Sequence, residues 1–336
     1  MKKAILAVVI PSILFTSSAF AGIYLVKNDD VSVNFNGDID LKLLYKENND
    51  VNTSSIDANF DDFDFTFKYF VSDGLTLIAE TDWTSESDKK SGVVNAGVWA
   101  GFKTDYGLLR FGYQANSFDP FGIDSSELTS AGMASGDLDG DGTDHPESIV
   151  YEHKINNVWF SGTYGYEGSD KDQSRQLQLA VRYIVKDLNF GAGIGNTKAF
   201  EDDDSLATYG DVIADGTYAQ AEVDYTWGKL RTAALVSYLK NDTNDRELNG
   251  YEIDVSYMIT PKLRLAAGWD RIDQDMGALE DDNSIDNVYL ALKYKWNKYA
   301  AIHAELGQRD GDFAKFNGSD KAFDEKLAGI LLDLDF

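Results

Sequence analysis

The sequence predicts an all-β protein, a transmembrane antiparallel β-barrel of about sixteen strands. Apolar and polar residues alternate with a period of two over most of the chain, which places the apolar side chains of a strand on one face. Several of these runs last for about ten residues, the length that a tilted strand needs to cross a bilayer. Short connections also alternate with long ones, as they do when turns lie on one side of a membrane and loops on the other.

The first 21 residues have the pattern of a secretory signal peptide. Lys2 and Lys3 precede an apolar stretch, and Ala19-Phe20-Ala21 fits an A-x-A cleavage site. We therefore expect a signal peptide over 1–21 and one barrel domain over 22–336. The segment 1–21 carries two lysines and no acid, so its removal changes the net charge from −27 to −29.

The strand pattern is clearest between Val31 and Tyr45, where every odd-numbered residue is apolar or glycine. Similar runs recur to Phe336. Short turns are predicted near 72–74, 104–107, 155–157, 186–187, 227–229, 260–262 and 297–298. Long loops are predicted over 46–57, 84–92, 115–147, 167–175, 197–216, 239–248, 271–285 and 308–325. Seven turns and eight loops join sixteen strands, with both termini at the short-turn end. A soluble β-sandwich is the alternative, but its strands average about 5–6 residues.

The composition limits the possible functions. The chain has no cysteine, which excludes disulfides and thiol chemistry. A net charge of −27 disfavours DNA or an anionic lipid surface as a partner. Charged residues share the polar parity of the strands, which suits an aqueous channel and not a packed core, and about sixteen strands leave a water-filled lumen. Four tryptophans take the apolar parity near strand ends, as interfacial residues do, whereas Trp99 and Trp159 do not fit this pattern.

Three motifs resemble the Gram-negative general porin family. They are the segment 21–24 followed by 31–37, the strand–turn–strand segment 99–114, and the closing segment 332–336, which ends in Phe336. In this order and spacing they are fairly specific, and the resemblance extends over the whole mature chain. The resemblance implies a homotrimer in the bacterial outer membrane, in contact with its lipid and lipopolysaccharide. It also implies that the third loop, 115–147, folds into the lumen as a constriction.

The resemblance further implies that acids of this loop face basic groups on the opposite wall. The loop offers Asp119, Asp124 and Glu127, and the wall offers Lys42 and Lys68. Asp62 and Tyr113 stand where the family has arginines. The remaining candidates for the constriction are the inward Asp64, Glu80, Asp82 and Arg110. Since acids outnumber bases, we expect passive diffusion of small hydrophilic solutes with a preference for cations.

Two other functions and one metal site stay open at this point. A substrate-specific channel, for example for oligosaccharides, would need a lumenal aromatic track, but most aromatics take the outward parity. An outer-membrane enzyme would need a catalytic constellation, and none of the three histidines has a catalytic partner at an informative spacing. No cofactor is expected, apart from a possible Ca²⁺ on Asp137, Asp139 and Asp141. Ser148 stands where the Ca²⁺ loop needs glutamate, and a solvated acidic turn is the alternative.

Overall fold

The computed structural model describes residues 23–48, 51–85, 93–118, 120–123, 125–126, 128, 144–168, 173–198, 215–241, 247–275, 283–314 and 320–336. The predicted signal peptide lies outside these residues. None of the described residues belongs to a helix that is long and apolar enough to cross a membrane.

The described residues form seventeen β-strands, which we number in chain order. They are β1 (Ile23–Lys27), β2 (Val31–Asn48), β3 (Val51–Ser72), β4 (Leu75–Ser85), β5 (Val93–Thr104), β6 (Gly107–Ala115), β7 (Asp144–Ile155), β8 (Val158–Gly168), β9 (Gln173–Val185), β10 (Leu188–Lys198), β11 (Asp215–Trp227), β12 (Leu230–Asn241), β13 (Glu247–Thr260), β14 (Leu263–Asp275), β15 (Asn283–Asn297), β16 (Ala300–Ala314) and β17 (Asp320–Asp335).

Strands β2 to β17 close into a ring of sixteen antiparallel strands, which confirms the predicted fold class. Each strand pairs with the next, and β17 returns to pair with β2 from Asn48 to Asp38. Beyond that point Phe336 exchanges backbone hydrogen bonds of 2.8 and 3.1 Å with Gly37, and β1 then pairs with the rest of β2. The two ends of the chain thus share one edge of β2, so that the barrel has no exposed edge.

All seven predicted short turns are present, each with two residues between its strands. Two of the long loops are much shorter than predicted. Residues 46–48 and 51–57 continue the β2–β3 ladder, with Lys46 opposite Thr53, and much of 308–325 belongs to β16 and β17. Polar side chains do not end an antiparallel ladder, because the ladder is made by the backbone. Ion pairs join the extended strands, for example Lys326 to Glu47 at 3.0 Å.

The two faces of the wall differ in the way that the alternation predicts. On β9 the outward Leu177 and Leu179 are 55% and 57% exposed, while the intervening Gln178 is fully buried. Exposed apolar residues recur on one face of β11 to β17, and the buried face carries acids such as Glu222, Glu252 and Asp254 together with some apolar residues such as Leu235 and Leu239. This is the reverse of a water-soluble protein. The outer face suits lipid, and the inner face suits water.

Candidate functional site

One part of the inner wall, on β3 to β7, carries a group of charged side chains in register. Asp64 stands directly opposite Asp82, and Glu80 lies two residues further along the same face of β4. The side-chain nitrogen of Asn36 donates to both oxygens of Asp64 at 3.0 and 3.1 Å. We call Asp64, Glu80, Asp82 and the neighbouring Glu152 the acidic wall.

Trp99 and Arg110 belong to the same group. The Trp99 ring nitrogen donates to Glu80 at 3.1 Å, and the Arg110 guanidinium lies 5.2 Å from the centre of the Trp99 ring. Arg110 also forms an ion pair with Glu152. Trp99, which did not fit the pattern of the interfacial tryptophans, is therefore a lumenal residue that positions Glu80.

Two bases share one register row next to these acids. Lys68 stands opposite Ile78, which is opposite Gly101, which is opposite Arg110. By strand parity Lys103 and Lys154 also belong to this inner face, and Lys103 lies in the register row of Leu108 and Glu152, so that four acids are accompanied by four bases. The excess of negative charge is confined to the two register rows that hold Asp64, Asp82 and Glu80, which lie further from the short turns than the bases.

The first part of the 115–147 segment contacts the polar face of the other strands, from β8 to β17. The Ser117 backbone N–H donates to Thr163 at 2.8 Å and to Gln178 at 3.0 Å. Further along, the Ser125 backbone N–H donates to the Tyr289 hydroxyl at 2.8 Å. We call the described residues between 116 and 128 the loop segment.

Two aromatic rings of the loop segment lie over glycines of β10. Phe118 is 1% exposed, and its ring lies 4.8 Å from that of Tyr218. A methyl group on Gly193 would come within 2.7 Å of the Phe118 ring, and one on Gly191 within 2.9 Å of Phe121. The spacing Gly191-x-Gly193-x-Gly195 puts these glycines on the inner face, where the absent side chains leave room for the rings.

Carboxylates of this second wall hold the loop segment by hydrogen bonds. Glu222 accepts from the Gly122 N–H at 3.1 Å, Asp254 from the Ser125 hydroxyl at 3.0 Å, and Glu305 from the Ser126 hydroxyl at 2.6 Å. Glu222 and Asp254 also have basic partners. Arg182 lies 3.2 Å from Glu222, and Arg231 lies 2.9 Å from Asp254.

The acidic wall and the loop segment lie at the same level of the barrel. Glu80 is five residues from the start of β4, Glu222 five from the end of β11, and Glu305 five from the start of β16, all counted from the short-turn end. At a rise of about 3.3 Å per residue, each lies about 17 Å along its strand. In a ring of sixteen strands, β4 and β12 are opposite each other, so Glu222 on β11 and Asp254 on β13, which bind the middle of the loop segment, lie across the lumen from the acidic wall.

The sequence-predicted residues are placed as follows. Asp64, Lys68, Glu80, Asp82 and Arg110 are brought together. Lys42 lies six residues along β2 from Asn36, towards the long-loop end, and its ammonium group lies 3.1 Å from Asp40. It is therefore about 20 Å along the strand from the acidic wall.

Other candidates are described only partly or not at all. Tyr113 is half-buried on β6, opposite Val98, and Asp62 lies on β3 without a described side chain. Asp119, Asp124, Glu127, Asp137, Asp139 and Asp141 lie outside the described residues. Within the described ranges, no three histidine, aspartate or glutamate side chains are grouped to hold a metal ion.

Sequence reasoning did not identify the partners of these groups. It missed the pairing of Arg110 with Glu152 and the contact of Trp99 with Glu80. The charged residues of the polar parity include Glu222 and Asp254, but parity alone did not indicate that they hold the loop segment. The inner parity of Trp99 and the alternating glycines of β10 were the available signals.

Comparisons with known proteins agree with this architecture. The model of the Gram-negative porin family matches residues 4–314. No curated protein matches the sequence. Among solved structures, a loop L8 deletion mutant of OmpT, an outer membrane protein of Vibrio cholerae, is 22% identical with a TM-score of 0.75, covering 92% of this chain and 100% of that one.

Two further structures share the fold. The trimer form of OmpT from Vibrio cholerae is 21% identical with a TM-score of 0.72, covering 92% of this chain and 100% of that one. The anion-selective porin from Comamonas acidovorans is 14% identical with a TM-score of 0.73, covering 91% of this chain and 100% of that one.

Proposed function

This chain belongs to the Gram-negative porin family, and we propose that it is a water-filled diffusion channel for small hydrophilic solutes that prefers cations to anions. The family and the fold make it a channel protein of the bacterial outer membrane. They favour a channel over an enzyme. The solute preference and the ion preference are our proposals.

The acidic wall is the observation that supports cation preference. Asp64 and Asp82 face each other across neighbouring strands, with Glu80 beside them. The nearest arginine is engaged by Glu152, so it compensates the other acids only in part. The anion-selective porin of Comamonas acidovorans has a similar barrel, which indicates that selectivity depends on the lumenal side chains and not on the fold.

We further propose that the third loop narrows the lumen at this level. Its first residues contact the wall opposite the acidic wall, and both lie at about the same distance from the short turns. An ion that passes between them would come within about 8–10 Å, one Debye length, of the wall acids. The three loop acids Asp119, Asp124 and Glu127 would add to the same field.

The ion preference is tested by reversal potentials in planar bilayers under a KCl gradient. At about 8 Å in water, each wall charge contributes roughly 0.5 kcal/mol to the energy of a passing ion. Since each charge stabilises K⁺ and destabilises Cl⁻ by the same amount, the double substitution Asp64→Asn with Asp82→Asn should reduce the K⁺ over Cl⁻ preference by up to about 30-fold at low salt. A reversal potential near zero, or of anionic sign, for the unmodified protein at low salt would refute the proposal.

A matched control removes two acids away from the lumen. Asp73→Asn with Asp105→Asn changes the net charge equally, but both residues lie in short turns. The reversal potential of this variant should be that of the unmodified protein. If both variants shift it equally, total charge and not the acidic wall sets the selectivity.

Solute range and assembly need separate measurements. Liposome swelling with sugars of increasing size should decline smoothly for a general channel, whereas saturation by one sugar would indicate a substrate-specific channel. We propose a homotrimer, in line with the trimer form known for the similar OmpT. Light scattering of the detergent-solubilised protein should give three times the mass of one chain, and a single-chain mass would contradict the proposal.

A further inference from the structure

The rim at the short-turn end of the barrel is divided into a basic half and an acidic half. Four successive turns, from β9–β10 to β15–β16, each carry an exposed lysine: Lys186, Lys229, Lys262 and Lys298. We call these four lysines the basic rim. The turns of the other half carry Asp29, Asp30, Asp73 and Asp105, with Asn156 and Asn157 between β7 and β8.

The basic rim is unexpected in a chain of net charge −27. That total disfavours an anionic surface as a partner, but a charge is felt only within about a Debye length, roughly 8 Å at physiological salt. Neighbouring hairpin turns lie about 10 Å apart, which is two strand spacings. The local charge of each turn, and not the total, therefore decides what it can bind.

Exposed aromatic side chains accompany each basic turn. Trp227 is 75% exposed two residues before Lys229, and Trp296 is 49% exposed two residues before Lys298. Tyr183 precedes Lys186, and Tyr257 precedes Lys262, with exposures of 45% and 47%. Aromatic rings at this position mark the boundary between hydrocarbon and headgroups, so the lysines lie at the depth of the headgroup phosphates.

Contacts of the lysines keep their charges at the barrel edge. The Lys262 ammonium donates to the Trp296 carbonyl oxygen at 2.7 Å, and that of Lys229 to the Ile259 carbonyl oxygen at 3.3 Å. Lys298 lies 4.5 Å from the ring centre of Tyr299. Carbonyl oxygens and an aromatic ring carry no negative charge, so these contacts do not neutralise the lysines. Asp187 adjoins Lys186 in the first turn, which makes that turn the weakest of the four.

From this juxtaposition we infer that the β9–β16 side of the short-turn rim binds anionic phospholipids of the periplasmic leaflet. The exposed apolar face contacts the acyl chains, the aromatic rings lie at the interface, and the lysines bind the phosphate groups. The inference rests on the outer-membrane orientation of the barrel, with its short turns in the periplasm. The β1–β8 side, with four turn acids, does not attract these lipids.

Tryptophan fluorescence quenching by brominated lipids tests the inference, since Trp227 and Trp296 adjoin the basic rim. The protein is incorporated in mixtures of phosphatidylcholine with brominated phosphatidylglycerol, or with brominated phosphatidylcholine. A lysine near an anionic surface contributes roughly a fivefold preference. We expect the unmodified protein to prefer phosphatidylglycerol several-fold, and the preference to fall at high salt.

The variant Lys229→Gln, Lys262→Gln, Lys298→Gln should lose most of this preference. Its matched control is Lys46→Gln, Lys240→Gln, Lys326→Gln, which removes three lysines paired with acids near the opposite end of the strands and should keep the preference. Equal quenching by the two lipids in the unmodified protein, or retained preference in the first variant, would overturn the inference.

Channel formation is scored separately on the same samples by single-channel conductance. Both variants should conduct as the unmodified protein does, because neither alters the acidic wall. Conductance without lipid preference would reject the lipid site alone, whereas anionic selectivity with lipid preference would reject the proposed ion preference alone. The salt dependence in the unmodified protein decides the inference even if a variant fails to fold.

Discussion

Substitution of Gly193 by alanine should release the loop segment from the wall of the barrel. The new methyl group would lie 2.7 and 3.0 Å from two carbons of the Phe118 ring, whereas carbon atoms in contact are about 3.5–4.0 Å apart. The ring must therefore move by about 1 Å. Phe118 is 1% exposed and is bordered by Tyr218 and Phe121, so there is no free space beside it.

Such overpacking costs about 1–3 kcal/mol. Because the barrel is held by its ladders and not by this contact, we expect the cost to fall on the attachment of the loop segment. A cost of this size raises the population in which the loop segment is detached from the wall about 5–150-fold. The Gly122 and Ser125 N–H groups donate to Glu222 and Tyr289 when the segment is attached, so their hydrogen exchange should accelerate by the same factor.

Hydrogen–deuterium exchange with mass spectrometry of peptides covering 115–128 measures this change. Gly162→Ala is the control, because its methyl group would lie 3.4 Å from a Leu179 methyl and no closer to any backbone atom than 3.7 Å. The control should exchange as the unmodified protein does. Equal exchange in the two variants would refute the reasoning that the β10 glycines hold the loop segment.

Three further predictions concern charge, topology and metal binding. Arg110→Gln should increase the preference for K⁺, measured by reversal potential, because Glu152 loses its basic partner; an unchanged potential would place Arg110 outside the ion path. Trypsin on intact cells should cleave the long loops and spare the short turns, whereas cleavage confined to Lys262 would invert the topology. If Asp137, Asp139 and Asp141 bind Ca²⁺, a chelator should lower the melting temperature, and Asp139→Ala with Asp141→Ala should abolish that shift; no shift in the unmodified protein would end the hypothesis.

The strands and turns were predictable because a barrel strand meets lipid on one side and water on the other. This contrast repeats every two residues, and the break in it marks each turn, such as Gly228-Lys229. The extent of the strands was not predictable from the same signal. The β2–β3 ladder continues through Thr53 in polar sequence, since backbone pairing does not require an apolar face.

Site residues were predictable by parity but not by partner. Asp64 and Asp82 were both assigned to the inner face, and the register places them opposite each other. Trp99 could be recognised as an exception to the outer parity, but its contact with Glu80 depends on the strand register, which a single strand pattern does not contain. The packing of Phe118 against Gly193 brings together chain segments about 75 residues apart, and no local sequence pattern links them.

The distribution of the acids, and not their number, determines what an ion would meet in the lumen. On the β8–β17 wall, Glu222 and Asp254 each have an arginine partner and also accept hydrogen bonds from the loop segment. Each of these two carboxylates is already compensated at short range by its arginine. They therefore mainly hold the loop segment and have little effect on a passing ion. On the opposite wall, Asp64 accepts from the neutral groups of Asn36 and Thr66, which stabilise a carboxylate without cancelling its charge. Neutralising Glu222 should therefore loosen the loop segment, whereas neutralising Asp64 should change the ion preference.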